Sequence, residues 1–177
     1  MNKRSEKTLN KIQNSFIKLI NEKNYDDIVV QDILDEAKVG RATFYAHYNS
    51  KNELLLDVTA NIFHLVFAFN SDKNPFYNYK VLIKTVFSNI LKEGLFFQSI
   101  LNEKNNAEFL DAFKMHLNWL FTSYYDNYPY KEELVPLELK KELAVNNFIT
   151  VTKYWANSSY KQTPEEIADI YIIIFMR

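Results

Sequence analysis

Apolar residues recur at steps of three and four along nearly the whole chain. Leu9, Ile12, Phe16, Leu19 and Ile20 keep that spacing, which predicts an amphipathic helix from about Ser5 to Glu22. Asn21 to Asn24 ends it, and Tyr25 and Ile28 bring the chain back to the same core. Ile33, Leu34 and Ala37 give a second, short helix its apolar side. Lys38-Val39-Gly40 interrupts the period, and glycine is the residue that bends most cheaply. Arg41 to Tyr48 restarts it. Phe44 and Tyr48, four apart, share one face; Arg41, Ala42 and Tyr45 lie on an arc that can face outward.

Ser50-Lys51-Asn52-Glu53 reads as a capping box, Ser at the N-cap and Glu three residues on. It announces a long helix from Lys51 to about Phe69, kept in period by Leu54, Leu55, Val58, Ile62, Leu65 and Val66. Residues 70–75 read as a loop. Further helices are expected from Tyr79 to about Glu93, from Leu95 to Leu101, from Asn105 (with Glu108 as a second box) to about Tyr125, and from Leu137 to about Ala156. Tyr128-Pro129 reads as a break. Thr163-Pro164-Glu165-Glu166 carries three start signals at once, a Thr cap, Pro in the first turn and Glu at the third position. The last helix then runs to the end. No repeat, low-complexity tract or strand-period segment interrupts this pattern.

Composition agrees with an all-α fold. Of 177 residues only 2 are Gly and 4 are Pro, and 47% are hydrophobic, enough for a core. There is no Cys, so disulfides and thiolate metal sites are excluded and a reducing cytoplasm fits. The start lacks the apolar stretch of a secretory signal, and no apolar run approaches the roughly 18 residues of a membrane span. Net charge is -1, which does not by itself announce a nucleic-acid partner. Its distribution changes the picture: Lys3, Arg4, Lys7, Lys11 and Lys18 face Glu6 alone within the first twenty residues. Such a run is either a DNA-attracting face or an ordinary solvated one.

Two short helices joined by so tight a turn suit a helix-turn-helix, whose second helix enters the major groove. Residues at the start of that helix come closest to base edges. Arg41 is the candidate base reader, because its fork matches guanine O6 and N7; Ala42 can pack on a thymine methyl. Thr43, Tyr45, His47, Tyr48 and Lys51 can donate to phosphate oxygens, Lys51 with help from the free N–H groups of its helix start. Core packing competes for Tyr45 and Tyr48, and Gln31 is a further candidate contact near the start of the first motif helix. Phe44 is core in either case.

Val39-Gly40-Arg41-Ala42-Thr43-Phe44-Tyr45-Ala46-His47-Tyr48, with Ser50-Lys51-Asn52-Glu53-Leu54-Leu55 after it, resembles the TetR family of bacterial transcriptional regulators over about residues 7–56. The last third, Phe148 to Trp155 and then Thr163 to Ala168, resembles a C-terminal branch of that family found among Firmicutes. The resemblance implies the same base-reading positions, Arg41, Ala42 and Tyr45. Val29 departs from the family's usual Thr cap, a loss of about 1 kcal/mol unless another group replaces it. Tyr48 departs from the usual Phe and needs a partner for its hydroxyl, a phosphate or a buried acceptor.

The expected organisation is therefore a DNA-binding domain over 1–54, with its motif at about 29–48, and a helical-bundle regulatory and dimerisation domain over 55–177. The resemblance implies a cytoplasmic homodimer, associated with the nucleoid when bound to a palindromic operator in double-stranded DNA, acting as a repressor. The helices around Lys140–Ala156 and Pro164–Met176 are the expected interface. Aromatic residues, 16% of the chain, crowd its C-terminal two-thirds and suit either plain core or a pocket for an apolar or aromatic effector. Phe113, His116, Asn118 and Trp119 are the candidate ligand contacts, the two polar ones orienting it. A protein partner in place of the small ligand, and an all-helical enzyme or carrier, are the alternatives. No nucleophile motif, phosphate loop or paired carboxylates support catalysis. His64 and His116 lack a second ligand at helical spacing, so no metal or cofactor is expected.

Overall fold

A computed structural model describes residues 3–69, 78–102, 106–127 and 135–176. Every regular element among them is helical: α1 (Lys3–Glu22), a 3₁₀ turn (Tyr25–Asp27), α2 (Val30–Ala37), α3 (Arg41–Tyr45), α4 (Lys51–Val66), α5 (Tyr79–Lys92), α6 (Gly94–Ile100), α7 (Ala107–Asn127), α8 (Leu137–Asn157) and α9 (Pro164–Met176). The expected loop at 70–75, the Asn105 cap and the Tyr128-Pro129 break lie outside the described residues.

The start signals work as local chemistry requires. Ser50 Oγ accepts the Glu53 N–H at 3.1 Å, while the Glu53 carboxylate takes the N–H of Asn49 at 2.7 Å. Thr163 and Glu166 close a full reciprocal box: Thr163 Oγ1 accepts the Glu166 N–H at 3.2 Å, and Glu166 Oε2 accepts the Thr163 N–H at 2.8 Å. Asn78 caps α5, its Oδ1 accepting from Lys80 and Val81.

The packing explains which residues are apolar. Ile12, Phe16, Leu19 and Ile20 of α1 are buried against Ile33, Leu34 and Ala37 of α2 and against Phe44, Leu54 and Leu55. Further along, α4 leans on α5 and α7, α5 on α9, and α7 and α9 on α8. Aromatic rings fill this second core. Phe87 stacks on Phe148 at 4.5 Å and meets Trp155 edge-on at 5.5 Å; Phe63 stacks on Phe113 at 5.3 Å. Phe96, Phe97, Phe109, Phe113, Phe121, Phe148 and Trp155 are all at most 1% exposed. Between core and pocket lining, their side chains are core: they pack on one another. The Tyr171 hydroxyl donates to the Ala144 carbonyl at 3.0 Å. Its single proton is thereby used, so Tyr79 is the donor in the 3.1 Å hydroxyl pair between the two.

Candidate nucleic-acid interface

The candidate DNA face is built on α3, a helix of five residues. Phe44 is its anchor, fully buried, touching Tyr45 edge-on at 5.4 Å and Tyr48 at 5.9 Å. With that side fixed inward, Arg41, Ala42, Thr43 and Tyr45 are all exposed. His47 is half-buried just beyond the helix. The structure thus brings five of the candidates together on one short surface. Gln31 is exposed at the start of α2, and its amide donates to Asp35 Oδ1 at 2.9 Å.

The turn before α3 differs from expectation. The left-handed residue is Lys38, at φ 52° and ψ 48°, while Gly40 is extended at φ -76° and ψ 155°. Lys38 closes α2 as its C-cap, its N–H reaching the carbonyls of Asp35 and Leu34. Gly40 is thus not needed for a positive φ. A Cβ there would meet only Thr43 Oγ1, at 4.0 Å.

Two candidate phosphate clamps point elsewhere. Tyr48 is buried, 3% exposed, and its hydroxyl donates to Asp57 Oδ2 at 2.6 Å. Gln13 Nε2 donates to the same oxygen at 2.8 Å and to the Tyr48 hydroxyl at 3.1 Å. Burial first, then the Asp57 hydrogen bond, pushes this hydroxyl well above the usual tyrosine range. The partner that Tyr48 requires is therefore an acceptor within the protein, the half-buried Asp57 carboxylate. The Lys51 ammonium also turns inward. It donates to the carbonyls of Tyr25 and Ile28, both at 2.7 Å, and lies 4.0 Å from the Tyr25 ring centroid. It ties down two carbonyls at the 3₁₀ turn, that of Tyr25 alongside the Ile28 N–H, a job that spacing along the sequence does not reveal.

Val29 carries no side-chain cap, yet α2 starts cleanly. The Val29 carbonyl accepts the Asp32 N–H at 3.0 Å, and the Asp32 carboxylate accepts the Val29 N–H at 2.8 Å. Lys23 Nζ pairs with the same carboxylate at 2.7 Å. Those hydrogen bonds, Lys23's first, hold Asp32 below the usual carboxylate range. Of the basic residues on α1, Lys18 is spent on Glu36 at 2.8 Å, so this charge belongs to the fold.

The head, formed by α1 to α3 and the first two turns of α4, is also tied to α7. Tyr25 donates its hydroxyl to Asn52 Oδ1 at 3.4 Å, and Asn52 Nδ2 donates to Glu108 Oε1 at 3.2 Å. Burial, then the Glu108 and Asp26 carboxylates, pushes the Tyr25 hydroxyl up to about 12.

Between α4 and α7 lies a hollow of about 520 Å³, lined by Ala60, Phe63, His64, Phe67, Met115, His116 and Trp119. Of the candidate ligand contacts, His116 and Trp119 line it. Phe113 sits behind its wall, stacked on Phe63, and Asn118 is exposed on α7 outside it. The His116 ring stacks on Phe67 at 5.3 Å, and its Nδ1 donates to the Ala112 carbonyl at 2.8 Å. Among the described residues, no group of three or more His, Cys, Asp or Glu could hold a metal ion. No described helix is long and apolar enough to cross a membrane.

Comparison with known proteins places this geometry. Residues 17–58 match the family model for bacterial regulatory proteins of the tetR family. Residues 77–177 match the model for a transcriptional regulator C-terminal region. No curated protein matches the chain. Among solved structures, a TetR transcriptional regulator from Streptococcus agalactiae 2603V is 26% identical, with a TM-score of 0.82 over 98% of this chain and 96% of that one. The fatty acid degradation regulator FadR from Bacillus halodurans shares the fold at 17% identity and a TM-score of 0.71, over 96% and 94%. The dihydroxyacetone kinase operon activator DhaS shares it at 21% identity and a TM-score of 0.61, also over 96% and 94%.

Proposed function

The chain belongs to the tetR family of bacterial transcriptional regulators, and from that membership we propose that it is a cytoplasmic homodimeric repressor of a palindromic operator, controlled through residues 55–177. The observation that carries the DNA reading is the joint exposure of Arg41, Ala42, Thr43 and Tyr45 around one buried anchor, Phe44. In this reading Arg41 reads guanine, Ala42 and Tyr45 pack on neighbouring bases, and Thr43, Tyr45 and His47 hold phosphates. The Gly40 hydrogen leaves room for DNA backbone. Gln31 adds a contact from α2. Tyr48 and Lys51 act indirectly, by holding the head in shape. The division between residues 1–54 and 55–177 falls inside α4, so the DNA-reading unit rides on a helix rooted in the regulatory one.

Dimerisation is supported by the apolar residues that α8 and α9 leave outside. Leu139, Leu143 and Tyr154 are 43–57% exposed, and Ile173 and Ile174 51% and 59%. A second copy covers such a surface by two-fold symmetry. It also presents two recognition helices about 34 Å apart, the spacing of one DNA turn.

The hollow beside His116 and Trp119 supports control by an apolar or aromatic effector, since it shares α4 with the DNA-reading unit. An effector that prefers one orientation of α4 shifts the population and changes operator affinity. The sign of control is repression in this reading. One structural relative is named an operon activator, so a reporter assay with and without the protein decides it. The test of DNA binding is selection of bound duplexes from a random pool, followed by titration at several salt concentrations. A palindromic consensus with steep salt dependence supports the reading; absence of any enriched sequence overturns it.

A further inference from the structure

Ser159 and Tyr160 follow α8 with φ of 55° and 54°, a left-handed conformation that residues with side chains avoid. The surrounding turn imposes it. The Tyr160 N–H donates to the Trp155 carbonyl at 3.0 Å, Ser158 Oγ donates to the same carbonyl at 2.8 Å, and Trp155 Nε1 donates to the Gln162 carbonyl at 2.9 Å. Trp155 then receives the Tyr160 ring edge-on at 4.9 Å. Held this way, the Tyr160 hydroxyl donates to the Gly94 carbonyl at 2.5 Å.

Gly94 is the first residue of α6, and the ring lies directly on it. A Cβ at 94 would stand 3.0 Å from Tyr160 Cε2 and 3.3 Å from Cζ. Both sides of the contact are thus specialised: a strained backbone presents the ring, and a missing side chain receives it. The same helix α6 also packs on α1. A hollow of about 270 Å³ marks this joint, lined by Ile17 and Asn21 of α1, by residues 91–96 and by Tyr160.

We infer that Tyr160 is a positioning residue for operator binding: it latches the α8–α9 turn onto the start of α6, and α6 fixes the angle at which α1 carries the head. This rests on the DNA-binding dimer proposed above, in which α8 and α9 join the two copies. A latch between that junction and each head sets the distance between the two recognition helices. It has no bearing on how one head grips one half-site.

The test compares full-length wild type, Tyr160→Phe and Gly94→Ala on the selected operator. Half-site spacing is varied by single base pairs, and a lone half-site is the control. The expected result is at least a threefold loss at the preferred spacing and a flatter dependence on spacing for both variants. Lone half-site affinity stays within twofold. Gly94→Ala in a Tyr160→Ala background adds no further loss, because the ring it meets is gone. Tyr160→Phe removes a single oxygen, so it keeps the test alive if Gly94→Ala folds poorly. Wild-type affinity and spacing preference in both variants overturns the latch, as does an equal loss on the lone half-site. A wild type that enriches no DNA overturns the DNA reading itself, a separate outcome.

Discussion

Tyr48 donates its hydroxyl hydrogen to Asp57 across 2.6 Å, joining the third residue beyond the recognition helix to the second turn of α4. Gln13 of α1 donates to the same carboxylate oxygen at 2.8 Å. Three elements of the head thus meet at one acceptor. A hydrogen bond to a charged group contributes about 1.5–3 kcal/mol, and Tyr48→Phe removes that bond together with the one Gln13 Nε2 donates to the hydroxyl at 3.1 Å, while Asp57 keeps its bond from Gln13. The expected loss is about 1–2 kcal/mol in urea unfolding, with operator preference unchanged. A changed base preference at full stability would return Tyr48 to the DNA face.

Lys51 separates holding the head from holding the phosphate. Lys51→Met keeps the stem over the Tyr25 ring but leaves the carbonyls of Tyr25 and Ile28 without their 2.7 Å donors. The variant is expected to be less stable by about 1–3 kcal/mol. The slope of operator affinity against salt is expected to stay at the wild-type value, since a lost phosphate contact would lower it by about one ion per site.

Arg41 is exposed on the recognition helix and contributes nothing to the core. Arg41→Ala is expected to leave stability unchanged. It should relax preference at one base pair per half-site by about 1–3 kcal/mol, read by competition with singly substituted operators. An equal loss on all sequences would make Arg41 a phosphate contact.

Asp32 gives the head an acid-sensitive element. Its folded pKa is depressed by the Lys23 and Val29 hydrogen bonds. Its contribution is therefore present above the unfolded value of about 3.9 and lost as pH falls through the folded pKa. Asp32→Asn removes that contribution at every pH. The stability gap between wild type and variant is expected to be constant from pH 7 down to about 4 and to close below it. Denaturant midpoints across that range measure it.

Thr59 is 1% exposed in α4, and its hydroxyl oxygen is buried without a hydrogen-bond partner. Thr59→Val keeps the branched shape and removes the unpaired group. It is expected to raise stability by about 1 kcal/mol, seen as a higher unfolding midpoint. A loss would mean that a water molecule satisfies the hydroxyl.

Much of the fold was legible along the chain because helix signals are local. The period of Leu9 to Ile20, the Ser50 cap and the Thr163 to Glu166 box each act within a few residues. They predicted α1, α4 and α9 to within a turn at each described end. The outward arc of Arg41, Ala42 and Tyr45 was legible for the same reason, since Phe44 must face inward. Partners contributed by distant elements were not. Lys51 looks like a phosphate clamp until the 3₁₀ turn brings two carbonyls to it, and Tyr48 until α4 brings Asp57. Gly40 looks like the flexible point of the turn until Lys38 takes the left-handed conformation.

The sequence by itself determined the helices, their caps and the side of α3 that faces outward, because backbone hydrogen bonding and side-chain period depend on neighbours within a turn or two. Tertiary structure alone decided which buried hydroxyl meets which acceptor, that Phe113 is core while Trp119 lines a hollow, and that Tyr160 rests on Gly94. Those outcomes depend on which faces meet after the chain has folded back on itself, 66 residues apart in the last case.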